Sequence, residues 1–576
     1  MHLNKKYVID ILLFFFVATF SFLINQYYGY LGIVPLDDFL NFNSGYRILK
    51  GDIPFKDYYS ITGPFLSIIQ SYYFKLFGLS WFSFVLNASI LNTILSLSIF
   101  LLLKKLNISN FLNLSICICI AILSYPNNGV PGVDHHAWII CVIGYLVFYT
   151  GLLKKNIFLL SITPLLFLIS FFTKQVPSIY FLIITLLIYI YYCIHIKKLL
   201  AIKYLSISSF LYLFLIFLLF NYHDLNFNFF LEQYFLISFD LGNSRFISSN
   251  LDSVLENISN IQFLVLLSIP FLINLLNNFQ SEDNEKNFIV YYNSICIFSL
   301  IFISILYELH TNNQAMTFMI LPLIVFFLYK VQEKINETKL LKFFYFLMIT
   351  YCFYRIIQNE LIYVFLFLSF AIFLAFYRLN KKAIKYNCQY LLIIYLLLTT
   401  LYYFQSSINP RKYKDINTYD KGEIFSGGQI HNIFNKVQWI TSSQKFKKDE
   451  INKIKVNLDY LKKLDENFIF VTDYQIFNPI LDLKDYSPVK YWYTGNSYPS
   501  KDSKFRKNFE KFFYKKILEN NVGYLIIDDE ISLFKENIND YENLYKCLLK
   551  LQNNEVKNLI IYKINKLCLQ KVLSIH

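Results

Sequence analysis

Charge is what this sequence has least of. Only 16% of its residues are Asp, Glu, Lys or Arg, against 56% hydrophobic residues, and the mean hydropathy of +0.43 is far above that of a soluble enzyme. Glycine (16) and proline (13) are too few in 576 residues for collagen or a low-complexity chain, and 9 cysteines are too few for a disulfide scaffold. No P-loop, H-E-x-x-H or C-x-x-C occurs, which removes the signatures of nucleotide hydrolysis, zinc proteolysis and thiol exchange. Arginine stands at only six positions (47, 245, 355, 378, 411 and 506), so lysine supplies most of the formal charge of +14. With 61 Phe, 47 Tyr and abundant Ile and Asn, the chain favours residues whose codons are rich in A and T. The basic balance is therefore read as compositional bias, with no nucleic-acid partner.

What is abundant is apolar sequence. Runs near 20 residues recur along most of the chain, and runs of that length are bilayer spans rather than core helices. About 13 spans are expected, near 8–31, 81–103, 108–125, 137–153, 157–172, 176–195, 204–222, 261–278, 288–307, 315–330, 340–357, 361–377 and 388–404. The first follows Lys5-Lys6 but has no small-x-small cleavage site, so it reads as an uncleaved anchor. A break near 410 separates two materials. Residues 1–410 carry 25 Lys/Arg and 18 Asp/Glu, whereas 411–576 carry 28 and 21 in far less chain. The expected fold is an α-helical polytopic membrane domain over 1–410, followed by a small α/β domain over 411–576.

Loop charges set an orientation. With the N-terminus in the cytoplasm, the inside loops hold Lys104-Lys105, Lys154-Lys155, Lys197-Lys198 with Lys203, Lys330 with Lys334, and Arg378 with Lys381, Lys382 and Lys385. An odd span number then leaves 411–576 extracytoplasmic, in a multi-pass protein of the cell's inner (plasma) membrane. In that domain, 468–472, 522–527 and 559–562 read as strands, and 447–463, 504–520 and 540–552 as helices. This alternation predicts a partly parallel sheet. Cys547 and Cys568 flank the last strand in an oxidising compartment, and a disulfide between them is expected.

Chemistry-bearing residues concentrate outside the membrane. The first outside loop contains Asp37-Asp38, Arg47, Gly51-Asp52-Ile53-Pro54-Phe55-Lys56-Asp57 and Gly63-Pro64. Paired carboxylates at the mouth of a span are costly near hydrocarbon and tend to be functional. One can serve as a general base and two can hold a divalent cation. Asp134, before His135-His136, could add to such a site, because carboxylate and imidazole both suit a transition metal. The plainer reading is that Asp134 caps a helix. Lys174 is the one cation between spans 5 and 6 on the outside, placed to hold a phosphate or simply to snorkel. Glu308, His310 and Arg47 are weaker candidates for substrate contacts.

The order of an apolar first helix, an outside acidic pair, G-x-x-P-x-x-D (Gly51, Pro54, Asp57) and Gly63-Pro64 before the next helix resembles the GT-C glycosyltransferases. Closest are the aminoarabinose transferases, the protein mannosyltransferases and the RgtA/B/C/D-like group. The likeness is strongest over about residues 8–105. It implies an inverting transferase that takes sugar from a polyprenyl-phosphate carrier and gives it to a cell-envelope acceptor, such as a lipid, a polysaccharide or a protein. It also implies that Asp38 is the catalytic base with Asp37 in support, that Asp134 and Lys174 bind substrate, and that Asp38, Asp134 and His135 are the residues for a divalent cation (Mg or Mn) if one is used. Two other classes share the many-spanning plan. An O-antigen ligase or polymerase would carry its large outside loop mid-chain, and a flippase or transporter would carry charges at mid-span.

Overall fold

The computed structural model describes residues 5–105, 109–154, 156–176, 199–240, 425–441, 447–529, 538–551 and 558–575, with a few isolated positions between them. Six of the expected spans, from 261–278 through most of 388–404, lie outside the described residues, as do most of 176–195 and the candidate residues Glu308 and His310.

Helix α1 (Lys5–Gly29) has 25 residues, about 37 Å at the α-helical rise and enough to cross a hydrocarbon core of about 30 Å. Among the described residues, Tyr7–Gly29, Trp81–Lys104 and Lys203–Tyr222 are long and apolar enough to span, and 110–123, 133–148 and 157–171 are shorter apolar helices. The protein is thus a membrane protein by the length and composition of its helices. α1 packs on α4 (Trp81–Lys105) and α5 (Asn110–Leu123), and α6 (Val133–Lys154) packs on α7 (Ile157–Phe171). At the end of α1 a Cβ on Gly29 would lie 2.3 Å from Val85 Cγ1 and 2.7 Å from the Gly129 carbonyl. Only glycine lets α1, α4 and the loop before α6 meet there.

Between α1 and α4 the chain forms α2 (Pro35–Leu49), an extended turn, and α3 (Phe65–Phe77). α2 begins with proline in its first turn, where a missing N–H is harmless. Its Phe39, Phe42 and Tyr46 are buried beside Trp81 and Phe84 and also beside Phe434, Trp439 and Tyr474, about four hundred residues away.

The C-terminal region is built on a four-stranded sheet in the order β3-β4-β6-β5, behind a short β1–β2 pair (Phe425–Ser426 and Gln438–Trp439). β3 (Asn467–Val471) runs parallel to β4 (Val522–Asp528), and β4 pairs antiparallel with β6 (Leu559–Ile564). β3 and β4 read as continuous apolar runs because both faces are covered. Phe468, Phe470 and Ile526 face the helix Lys447–Leu461 and α2, and Ile469, Leu525 and Ile527 face the helix Arg506–Glu519 and Tyr59. Residues 31–84 therefore contribute to both cores of the C-terminal sheet. Backbone bonds add to this: Ile33 N–H donates to the Ile440 carbonyl (2.7 Å), Tyr59 N–H to Pro488 (2.7 Å) and Lys490 N–H to Tyr59 (3.1 Å).

The expected helix at 540–552 is one turn, Glu542–Tyr545, followed by strand β5 (Leu548–Leu551) on the edge of β6. Pairing with β6 outweighs the local helical pattern, and the Cys547–Cys568 disulfide, with Cα atoms 5.5 Å apart, anchors the start of β5.

Candidate functional site

Two helix starts carry the acids. Asp37 and Asp38 lie in the first turn of α2, where the helix dipole favours negative charge. Asp38 is buried at 2% exposure and its Oδ2 accepts the Val34 N–H at 2.8 Å, closing the helix start, whereas Asp37 is exposed. The pair is thus divided into an inward and an outward carboxylate. Asp134 occupies the equivalent place at the start of α6. α7 packs against α6 and the two are joined by a short connection, so the start of α6 lies beside the end of α7. There Lys174 forms an ion pair with Asp134, each about a quarter exposed (22% and 26%). Two of the candidates read from the sequence, Asp134 and Lys174, thus meet in one charge pair.

The corner around Lys174 is tied to the outer turn. Gly63 N–H donates to the Thr173 carbonyl at 3.2 Å, and a Cβ on Gly63 would lie only 1.8 Å from the Phe172 carbonyl oxygen, so no other residue fits. Gln175 Nε2 donates to the carbonyls of Ile61 (2.8 Å) and Tyr234 (2.7 Å). On the other side of the same turn, Lys490 Nζ donates to Thr62 Oγ1 at 3.0 Å. Lys490 is buried, and desolvation brings its ammonium pKa down from the usual value to about 8. The segment 60–63 therefore separates a membrane-end lysine from a C-terminal-region lysine. In a lysine-rich chain nothing in the sequence distinguishes Lys490.

Arg47 departs from its expected role. It is buried at 2% exposure, with Nε on Asp52 (2.9 Å), Nη1 on the Val489 carbonyl (3.1 Å) and Asp485 (3.9 Å), and its guanidinium 4.1 Å from the centre of the Tyr58 ring. A cation removed from water needs such partners, so Arg47 ties the outer loop to the C-terminal region rather than facing substrate. Asn43 Nδ2 to Asp485 (2.7 Å), Lys484 to Asp52 (3.2 Å) and Tyr46 OH to the Leu483 carbonyl (2.9 Å) extend the same tie.

The histidines turn inward. His135 is buried with its ring 5.4 Å from that of Tyr125, and His136 Nε2 lies 3.2 Å from Asn87 Oδ1 while Nδ1 meets the Tyr125 hydroxyl. Asp38, Asp134 and His135 do not meet as a ligand set, and among the described residues no three His, Cys, Asp or Glu side chains do. Asp134 also already carries Lys174. At the other end of the bundle, Asp10 is paired with Lys104, which neutralises the one acid of α1. Comparison with known families gives no matching family model, and comparison with curated proteins gives no match either.

Proposed function

We propose that the protein is an integral-membrane, inverting glycosyltransferase of GT-C type that moves a sugar from a polyprenyl-phosphate carrier to a cell-envelope acceptor. What supports this reading above all is the Asp134–Lys174 pair, about a quarter exposed where the start of α6 meets the end of α7, beside a loop whose first helix begins with Asp37-Asp38. In the reaction an acceptor hydroxyl attacks the anomeric carbon, the bond from that carbon to the phosphate oxygen breaks, and a carboxylate takes the hydroxyl proton. Asp38 is that base, with Asp37 beside it, and Lys174 offsets the charge that grows on the departing phosphate. Asp134 holds the ammonium in place until the donor's phosphate competes for it. The N-terminus then lies in the cytoplasm and residues 411–576 outside.

The test is transfer of radiolabelled sugar from a polyprenyl-phosphate donor by the purified full-length protein, with envelope lipid and polysaccharide as acceptors. Label should appear in acceptor, and Lys174→Ala should raise the donor KM more than it lowers kcat. Donor that crosses the bilayer of a proteoliposome with its sugar still attached would instead make the protein a flippase.

A further inference from the structure

A cleft opens where the parallel strands end. Thr472, the first residue after β3, donates its hydroxyl to Asp528 at the end of β4 (3.2 Å), and Thr472 lines the cleft. This is the carboxyl end of the parallel pair, where open α/β sheets leave a crevice for ligands. The inner space is about 10 Å³, room for one water or one hydroxyl, and it widens toward solvent.

The walls combine the aromatic rings of Tyr474, Phe477 and Trp492 with the polar groups of Asn478, Asp485 and Ser487. Three of these side chains bury a polar atom that has no hydrogen-bond partner in the protein: Asn478 Oδ1, Ser487 Oγ and Trp492 Nε1. Buried polar atoms in folded proteins are nearly always paired with protein, ordered water or ligand, so three around one cleft mark a place for a polar group from outside the fold. Their chemistry narrows the partner. Asn478 Oδ1 only accepts, the indole N–H only donates, and a serine hydroxyl does both. A phosphate or carboxylate would leave the amide oxygen unmet and would approach the Asp485 carboxylate. An ammonium would leave the indole unmet. A hydroxyl answers all three. Asp485 is already engaged by Asn43 Nδ2 at 2.7 Å and lies 3.9 Å from Arg47, so it does not call for a cation.

We propose that this cleft is a binding subsite for a neutral saccharide, with one hydroxyl in the inner space and the ring against the aromatic wall. The geometry also relates it to the acids below. Asn43, which holds Asp485 at the cleft, lies on α2 five residues after Asp38, about 7.5 Å along the helix axis. The proposal goes beyond the transfer reading and does not depend on it, since binding here requires neither donor nor turnover.

The test uses the full-length protein in lipid nanodiscs without donor. Saturation-transfer NMR is recorded with methyl α-D-glucopyranoside, methyl α-D-mannopyranoside and methyl β-D-galactopyranoside, and with tetrahydropyran as a ring lacking hydroxyls. At least one hexoside should bind and tetrahydropyran should not. Ser487→Ala and Trp492→Phe should each weaken binding at least tenfold. Ser487→Ala should leave the melting temperature of the free protein unchanged or higher, because it removes a buried hydroxyl with no partner. If Trp492→Phe fails to fold, Ser487→Ala carries the test alone. Absence of hexoside binding, or binding that Ser487→Ala leaves intact, overturns the proposal, as does a hexoside-soaked structure with only a water in the inner space. Loss of sugar transfer from the lipid donor with hexoside binding retained would count against the transferase and not against the cleft.

Discussion

The membrane helices and the outer region use opposite means of cohesion. Between α1, α4 and α5 small polar side chains add hydrogen bonds to apolar contacts such as Phe14 on Phe100. Asn25 donates to Ser89 (2.9 Å), Asn92 donates to the Ser21 (2.9 Å) and Ala121 (3.1 Å) carbonyls, and Ser124 donates to Asn92. Lipid is as apolar as leucine, so burying apolar surface between these helices gains little, and close packing with hydrogen bonds takes over. In the outer region water is the competitor, and the junction of 31–84 with 425–575 is aromatic: Phe39 lies within 6.3 Å of Trp81, Phe434, Trp439 and Tyr474, ring centre to ring centre. Each such side chain contributes on the order of 1.5–3 kcal/mol by leaving water. The candidate acids and lysines sit at the seam between the two regimes. Perturbing each regime separately tests whether the seam depends on both.

The largest effect is expected at the seam itself. Asp38→Asn removes the charge but keeps an oxygen that can accept the Val34 N–H, so α2 should still start at Pro35. Sugar transfer should fall by about 100- to 10,000-fold, the usual contribution of a general base. Asp37→Asn, on an exposed carboxylate, should fall less. Equal losses would mean that the pair acts as a unit and that burial does not pick out the base.

Next in size is the tie above it. Arg47→Met keeps most of the side-chain length but leaves Asp52 and Asp485 buried with their main cation gone. Removing one partner of a buried ion pair costs about 3–5 kcal/mol, and Lys484, 3.2 Å from Asp52, should hold the loss to the lower end. Denaturant melts followed by protease sensitivity between the outer loop and the C-terminal region would read this directly. An unchanged midpoint would show that the aromatic junction holds the two segments without the charges.

These perturbations also separate what the sequence makes legible from what it hides. The apolar runs at 81–103, 108–125 and 157–172 correspond closely to α4, α5 and α7, because a span is a local property of composition. β3, β4 and β6 were readable for a similar reason, as short apolar runs among charged neighbours. The disulfide was readable from two cysteines flanking one strand. Hidden were the contacts that join distant segments. Asn43 and Asp485 are 442 positions apart, and neither stands out in a chain so rich in Asn and in loop carboxylates. Arg47 is visible in the sequence as a weak candidate in a charged loop, but its partners Asp52 and Asp485 are not. β5 is hidden in the sequence because Leu548-Leu549-Lys550-Leu551 has no strand signal apart from its partner β6. Asp134 and Lys174 were each visible singly, and only the packing of α6 on α7 joins them.

The third effect depends on pH and isolates one charge in the outer region. Lys490 titrates near 8 in the folded protein, below the 10.5 of a free lysine side chain. Below pH 8 the ammonium is charged in both states and its burial destabilises the fold by roughly 3 kcal/mol, taking about 1.4 kcal/mol per pKa unit. Between pH 8 and 10.5 the unfolded chain binds the extra proton, so stability from this group rises with pH. Lys490→Met should therefore stabilise the protein at pH 7, less its hydrogen bond to Thr62, and the difference from wild type should shrink toward pH 10.5. A difference that stays constant across this range would mean that the ammonium is better solvated in the fold than its burial indicates.

The smallest effect belongs to the bilayer. Asn92 joins three helices, with its amide on carbonyls of α1 and α5 and its carbonyl accepting from Ser124, so Asn92→Leu removes three hydrogen bonds at a fully buried position. In water such a change would leave several groups unmet. In lipid the separated helices also find partners for these groups, and the net value of one interhelical contact averages about 0.6 kcal/mol. Asn92→Leu should therefore destabilise the bundle by about 1–2 kcal/mol, less than Arg47→Met, when both are measured by unfolding in bicelles. The Ser124 hydroxyl, which loses its acceptor, should then turn back to a carbonyl of the preceding turn, as the Ser21 hydroxyl already does to Val17 at 2.7 Å. If Asn92→Leu instead proves the more damaging of the two, the polar ladder and not the aromatic junction is the principal support of the seam, and Asp134 and Lys174 should lose their pairing with it.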